Sequence, residues 1–124
     1  IIDKRREAPN EADIMHIIGR VKNRNCLMVD DLIDTAGTLV KGAKALLDHG
    51  AVSVTACATH AVLSGRALEN IEGSPIREVV LTNSIPLSRR ARKINKIRSL
   101  SVAPLLASAI RSIHEETSVS TLFV

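Results

Sequence analysis

Tryptophan and tyrosine are absent from this chain of 124 residues, and phenylalanine occurs once, at Phe123. The core must then be built from Ile, Leu, Val and Ala, which suits helices laid on a buried parallel sheet. The same lack argues against binding single-stranded nucleic acid, which relies on aromatic stacking platforms. No apolar run approaches the roughly 18 residues that span a bilayer, so no membrane contact is expected. No signal peptide is visible at Ile1, and no initiator Met either. The chain opens on Ile1-Ile2-Asp3 as if in mid-strand, which suggests a fragment or an excised domain. Cysteine is scarce. Cys26 and Cys57 stand without CxxC or His-Cys spacing, each in an apolar run. They are expected to be reduced, buried packing residues of a cytoplasmic protein.

What is present is an ordinary globular mixture, 45% hydrophobic and 24% charged. The length fits one domain, 1–124, with no internal repeat or linker. The net charge of +4 is carried locally. Lys4, Arg5 and Arg6 crowd one stretch, and Arg89, Arg90, Arg92, Lys93, Lys96 and Arg98 another. Such mild basicity fits phosphate-bearing ligands as well as it fits DNA.

Asn10 reads as a helix N-cap with Glu11 and Asp13 in the first turn. Ile14, Met15, Ile17, Ile18 and Val21 follow at helical spacing, with Gly19 near the end. Residues 26–29 form an unbroken apolar run that predicts a strand buried on both faces. A second helix is expected over roughly 38–49, stopped by Gly50. Val52–Ala58 predicts a strand, 63–70 a helix, Arg77–Thr82 a third strand and Ile97–Val102 a fourth. Pro104 opens a last helix running to about Glu116, and Ser118–Val124 could add a final strand. This alternation predicts a three-layer α/β domain, a mostly parallel sheet with helices on both faces. Ligands of such sheets bind outside the carboxyl ends of the strands, here after Val29, Ala58 and Leu81.

The chemistry concentrates in Val29-Asp30-Asp31-Leu32-Ile33-Asp34-Thr35-Ala36-Gly37-Thr38. A strand end carries carboxylates, and small residues then open a helix. Small residues let a ligand approach the backbone closely. Free N–H groups at a helix N-terminus bind phosphate without a side-chain cation, and Thr35 and Thr38 can add hydroxyl donors. Asp30, Asp31 and Asp34 would repel a phosphate if aimed at it. Aimed elsewhere, they can accept hydrogen bonds from sugar hydroxyls or coordinate Mg²⁺. The stretch thus reads as a sugar-phosphate cradle, with phosphate on the backbone of 35–38 and a ribose diol on Asp30 and Asp31. The competing reading is that the aspartates only cap a helix.

Asp30 to Thr38 closely resembles the phosphoribosyl diphosphate-binding motif of type I phosphoribosyltransferases. The flanks resemble a related family, the ribose-phosphate diphosphokinases (phosphoribosyl diphosphate synthases). Ile2-Asp3-Lys4-Arg5-Arg6 is similar to the start of that family's catalytic flexible loop. Ala58-Thr59-His60-Ala61-Val62-Leu63-Ser64-Gly65, Thr82-Asn83-Ser84-Ile85-Pro86-Leu87 and Ser118-Val119-Ser120-Thr121-Leu122-Phe123 agree as well. The resemblance covers essentially the whole chain and is to the second, C-terminal, of the family's two similar α/β domains. It implies a phosphoribosyltransferase-like fold. It also implies a Mg²⁺-dependent, commonly hexameric cytoplasmic enzyme that moves the diphosphoryl group of ATP to the C1 hydroxyl of ribose 5-phosphate. The first domain, which supplies most ATP contacts and Mg²⁺ ligands, has no counterpart here, so the chain by itself is expected to be inactive and to hold no complete metal site.

By resemblance, Lys4 is the catalytic lysine, and Arg6 touches ribose 5-phosphate or the moving diphosphoryl group. Asp30 holds ribose hydroxyls. Asp34, Thr35, Ala36, Gly37 and Thr38 form the 5-phosphate loop, and Ser118 and Ser120 border a regulatory nucleotide and phosphate site. Glu7 stands where relatives commonly carry Pro. A phosphoribosyltransferase and a non-catalytic regulatory subunit remain the alternatives. His60 could lie near the nucleotide or serve a structural hydrogen bond. His49 suits a helix C-terminus, and His16 and His114 receive no role. The basic run 89–98 is either a solvated face or an anion or subunit contact.

Overall fold

The computed structural model describes the backbone of residues 2–5 and 14–123 and the side chains of residues 17–123. β1 (Ile2–Arg5) and β2 (Ile14–Ile17) pair as an antiparallel ribbon. β3 (Asn25–Ile33), β4 (Ser53–Ala61), β5 (Glu78–Thr82) and β6 (Ile97–Leu100) form a parallel sheet in that same order. α1 (Gly37–Asp48) connects β3 to β4, and α2 (Ala67–Glu72) connects β4 to β5. A 3₁₀ turn, Ala91–Lys93, precedes β6, and α3 (Ala103–His114) follows it.

The strand order explains where the core sits. Each strand pairs with the next in sequence, always moving in one direction across the sheet. Right-handed crossovers then bring successive connections to the same face. Val54 and Ala56 on β4 and Val79 and Leu81 on β5 are fully buried there. They pack in one cluster with Leu39, Ala43 and Leu46 of α1 and Leu68 and Ile71 of α2. Alanines at 43, 56 and 58 allow the helix to approach the sheet closely. The second face, which the three-layer expectation also covers with helices, carries Leu27, Val29 and Leu100, all exposed. α3 contributes no buried residue among those described.

The α/β class, the parallel sheet and α1 follow the sequence. Four local expectations do not. Residues 14–17 are a strand, not a helix, because β1 is available to pair with it, Ile2 opposite Ile17 and Lys4 opposite Met15. The β-branched Ile14 and Ile17 suit that pleated surface. Gly19 (φ 118°) and Asn23 (φ 60°), both left-handed, then turn the chain toward β3. Asn10, Glu11 and Asp13 lie outside the described residues. The strand expected over 26–29 runs on to Ile33, with Cys26 and Met28 half-buried on one face and Val29 75% exposed on the other. Cys26 and Cys57 are free, as expected, but half-buried. The tail forms a 3₁₀ turn, Ser120–Phe123, in place of a strand.

Candidate functional site

Asp30 to Thr38 spans the end of β3 and the first turn of α1. Asp30 and Asp31 belong to the strand itself, since Asp30 pairs with Ala58 and Leu32 with His60. Adjacent strand residues face opposite sides of a sheet. Asp30 accordingly lines a depression of about 260 Å³ with Asp34, Thr35, Ala36, Gly37 and Thr38, and Asp31 does not line it. Each carboxylate also accepts a hydrogen bond from the next backbone N–H, Asp31 N to Asp30 Oδ1 (2.9 Å) and Leu32 N to Asp31 Oδ1 (2.8 Å).

The turn into α1 is made by Ala36, which is buried and left-handed (φ 61°, ψ 5°). A non-glycine residue there is uncommon and mildly strained. The N-terminus of α1 receives no side-chain cap, and its first turn holds no acidic residue. The aspartates therefore do not cap this helix, and the capping alternative fails on geometry. The first N–H groups of α1 are left for solvent or a ligand. A Cβ built on Gly37 would meet nothing nearer than Thr35 Oγ1 at 3.8 Å, so open space lies before it. These features together suit an anion more than any cation. The helix end is electropositive, the donors are backbone amides, and the nearest carboxylates are held by other partners.

A larger cavity, about 740 Å³, runs along the unpaired edge of β3 beneath α1. Its lining is mainly core-type, including Cys26, Met28, Leu39 and Leu46, with Arg20 and Arg24 at one end. It meets the smaller depression at Asp30 and Thr38. The smaller depression holds the polar chemistry.

Sequence reasoning missed two residues beside the loop. Ser64 Oγ donates to Asp34 Oδ1, and Asn70 Nδ2 donates to the Thr35 carbonyl at 2.9 Å. Neither has a local spacing signal. His60 lies in β4 opposite Leu32, with Nδ1 3.0 Å from Ser84 Oγ. Ser84 and Thr82 both donate to the Thr59 carbonyl. Lys4 lies in β1 opposite Met15, with its backbone in a strand rather than a loop. Arg6 and Glu7 fall outside the described residues. Ser118 and Ser120 come together, their hydroxyl oxygens 2.7 Å apart.

The basic run is partly structural. Arg90 pairs with Glu69 at 2.7 Å and Arg98 with Glu78 at 2.9 Å. Lys96 Nζ donates to the carbonyls of Glu72 (3.0 Å) and Ser74 (2.6 Å), closing the C-terminal end of α2. A backbone hydrogen bond and the Arg90 guanidinium hold the Glu69 carboxyl below its ordinary value. Arg89, Arg92 and Lys93 remain exposed.

Fold and site together define a parallel α/β domain with an uncapped helix N-terminus between its first sheet strand and first helix, and a carboxylate near that strand's end. A family model described as phosphoribosyl synthetase-associated domain matches residues 4–124, and the chain belongs to that family. It is 62% identical over 123 residues to a ribose-phosphate pyrophosphokinase of Caldanaerobacter subterraneus subsp. tengcongensis, covering 99% of this chain and 39% of that protein. The corresponding enzyme of Clostridium tetani is 54% identical, with 99% and 38% covered. The crystal structure of phosphoribosylpyrophosphate synthetase from Mycobacterium smegmatis matches with a TM-score of 0.77 and 36% identity, covering 85% of this chain and 34% of that one. The chain thus spans about 39% of the length of the curated relatives it matches. No helix among the described residues is long and apolar enough to cross a membrane.

Proposed function

We propose that this chain is the ribose-5-phosphate-binding, C-terminal part of a ribose-phosphate diphosphokinase. The complete enzyme would transfer the diphosphoryl group of ATP to the C1 hydroxyl of ribose 5-phosphate, giving phosphoribosyl diphosphate and AMP. The observation that carries the reading is the uncapped N-terminus of α1 opening onto Gly37, in one depression with Asp30. The 5-phosphate rests on the backbone of Asp34, Thr35, Ala36, Gly37 and Thr38, with hydroxyl donors from Thr35 and Thr38. Asp30 takes the ribose hydroxyls from the wall of the depression, and Asp31 assists from the strand's other side. Lys4 and Arg6 serve the transferring group. Ser118 and Ser120 border a regulatory site, and the working enzyme is a cytoplasmic homohexamer.

Mg²⁺ fits this donor set in a limited way. Asp30 and Asp31 offer carboxylates, and no group of three His, Cys, Asp or Glu residues able to hold a metal gathers among the described residues. One or two carboxylates completed by substrate oxygens and water is a common arrangement for Mg²⁺. When bound, the ion neutralises charge on the phosphoryl oxygens.

The chain by itself should bind ribose 5-phosphate weakly and make no phosphoribosyl diphosphate. Calorimetric titration and an AMP-forming assay with ATP test both halves. Robust turnover by these 124 residues, or no binding at all, would overturn the assignment. The two aspartates should also separate. In the complete enzyme, Asp30→Asn should weaken ribose 5-phosphate binding more than Asp31→Asn, with thermal stability nearly unchanged in both. A loss of several degrees in Tm with affinity intact would make Asp30 structural.

A further inference from the structure

We propose that Ser64 and Asn70 are positioning residues for the phosphate-binding turn. The inference rests on the reading of residues 34–38 as that turn and adds what holds its amides in aim. The connection between β4 and α2 lies directly against it. Leu63 N donates to the Ile33 carbonyl at 2.9 Å, Ser64 N to the Asp34 carbonyl at 3.1 Å, and Asn70 Nδ2 to the Thr35 carbonyl at 2.9 Å. Three successive carbonyls are thus tied to one neighbouring segment. In a trans peptide the N–H points opposite to its carbonyl. Fixing the carbonyls of 33, 34 and 35 on that segment therefore turns the N–H groups of Asp34, Thr35 and Ala36 away from it. These three backbone donors are thus aimed by the clasp, while those of Gly37 and Thr38 are aimed by α1 itself.

Strain makes the clasp necessary. Ala36 is left-handed at φ 61°, and within the clasp Leu63 (φ 50°) and Gly65 (φ 52°) are left-handed too. A left-handed Ala or Leu persists only where its surroundings over-determine it. The hydrogen bonds from Ser64 and Asn70 supply part of that determination. Ser64 has a second task. Its hydroxyl engages the carboxylate of Asp34, a residue of the turn itself. Freed, that carboxylate could swing toward an incoming phosphate and repel it. Ser64 holds the negative charge to one side.

The test is kinetic and uses the complete enzyme that carries this chain. Ser64→Ala and Asn70→Asp should each raise KM for ribose 5-phosphate about tenfold, the equilibrium weight of roughly one hydrogen bond to a charged or strained group. KM for ATP and kcat should stay close to the parent, as should Tm. Ser64→Thr, which keeps the hydroxyl, should recover most of the affinity. An unchanged KM for ribose 5-phosphate overturns the proposal. So does a parallel rise for both substrates with a falling Tm, which marks a merely structural contact, or a Thr variant as poor as Ala. Gly37→Val in the same enzyme separates the two layers of the argument. If it abolishes ribose 5-phosphate binding while the clasp variants bind normally, only the clasp fails. If it too binds normally, the phosphate lies elsewhere and both fail.

Discussion

Lys4→Ala in the complete enzyme is expected to lower kcat by about 10²–10³, the usual cost of losing one preorganised electrostatic contact, or roughly 2.7–4 kcal/mol. Phosphoryl transfer asks the protein for charge neutralisation on the equatorial oxygens more than for covalent chemistry. A lysine that meets the diphosphoryl group as its charge redistributes acts on the transition state. Interactions stronger there raise turnover without tightening ground-state binding. KM for ribose 5-phosphate should therefore change little. The backbone of Lys4 lies in β1, paired across to Met15. Arg6→Ala should act similarly on kcat and raise KM for ribose 5-phosphate further, since Arg6 is assigned to the substrate. Steady-state kinetics with each substrate varied would measure both. An unchanged kcat in Lys4→Ala would return Lys4 to an ordinary solvated lysine.

The sheet was legible because its signals are local and mutually consistent. Val79-Val80-Leu81 lies within β5, and Leu39, Ala43 and Leu46 place one buried face on α1 before Gly50 stops it. The turn from β3 into α1 was legible for the same reason, since its small residues and hydroxyls are contiguous. Residues 14–18 were not. Their apolar spacing satisfies a helix over one turn, yet a partner strand nine or more residues away decides the outcome. Propensity gives way to pairing in such short Ile-rich segments. The one-sided burial of β3 was equally hidden. A continuous apolar run reads as buried on both faces, and nothing within the run reports that the strand order places both crossover helices on one side.

The clasp illustrates a different limit. Ser64 reaches Asp34 across 30 residues and Asn70 reaches Thr35 across 35. Serine and asparagine are common surface residues, and no spacing rule joins either to the turn. Only the parallel pairing of β3 with β4 brings the two strand ends together. The aspartates show the opposite case. Read as a contiguous acidic run, Asp30 and Asp31 looked like one ligand pair. As strand neighbours they separate, and only Asp30 enters the depression.

Gly37→Val should abolish measurable ribose 5-phosphate binding while the fold survives. Gly37 is not a left-handed residue, so the backbone itself does not demand glycine there. Valine ranks above glycine in helix propensity, so the substitution carries no propensity cost. Its Cβ would sit 3.8 Å from Thr35 Oγ1, an ordinary contact, and the two γ-methyls would project into the open space before the helix. That space is where a phosphate must sit to reach the amides. Losing two hydrogen bonds to a charged group costs roughly 3–6 kcal/mol, which is about a hundredfold in affinity or more. Gly37→Ala, with a single methyl, should fall between parent and valine. Tm within a few degrees of the parent, together with lost binding in a calorimetric titration, is the expected pair of results. Equal affinity in Gly37→Val and the parent would mean that the glycine is there for packing alone, and that the phosphate is recognised away from α1.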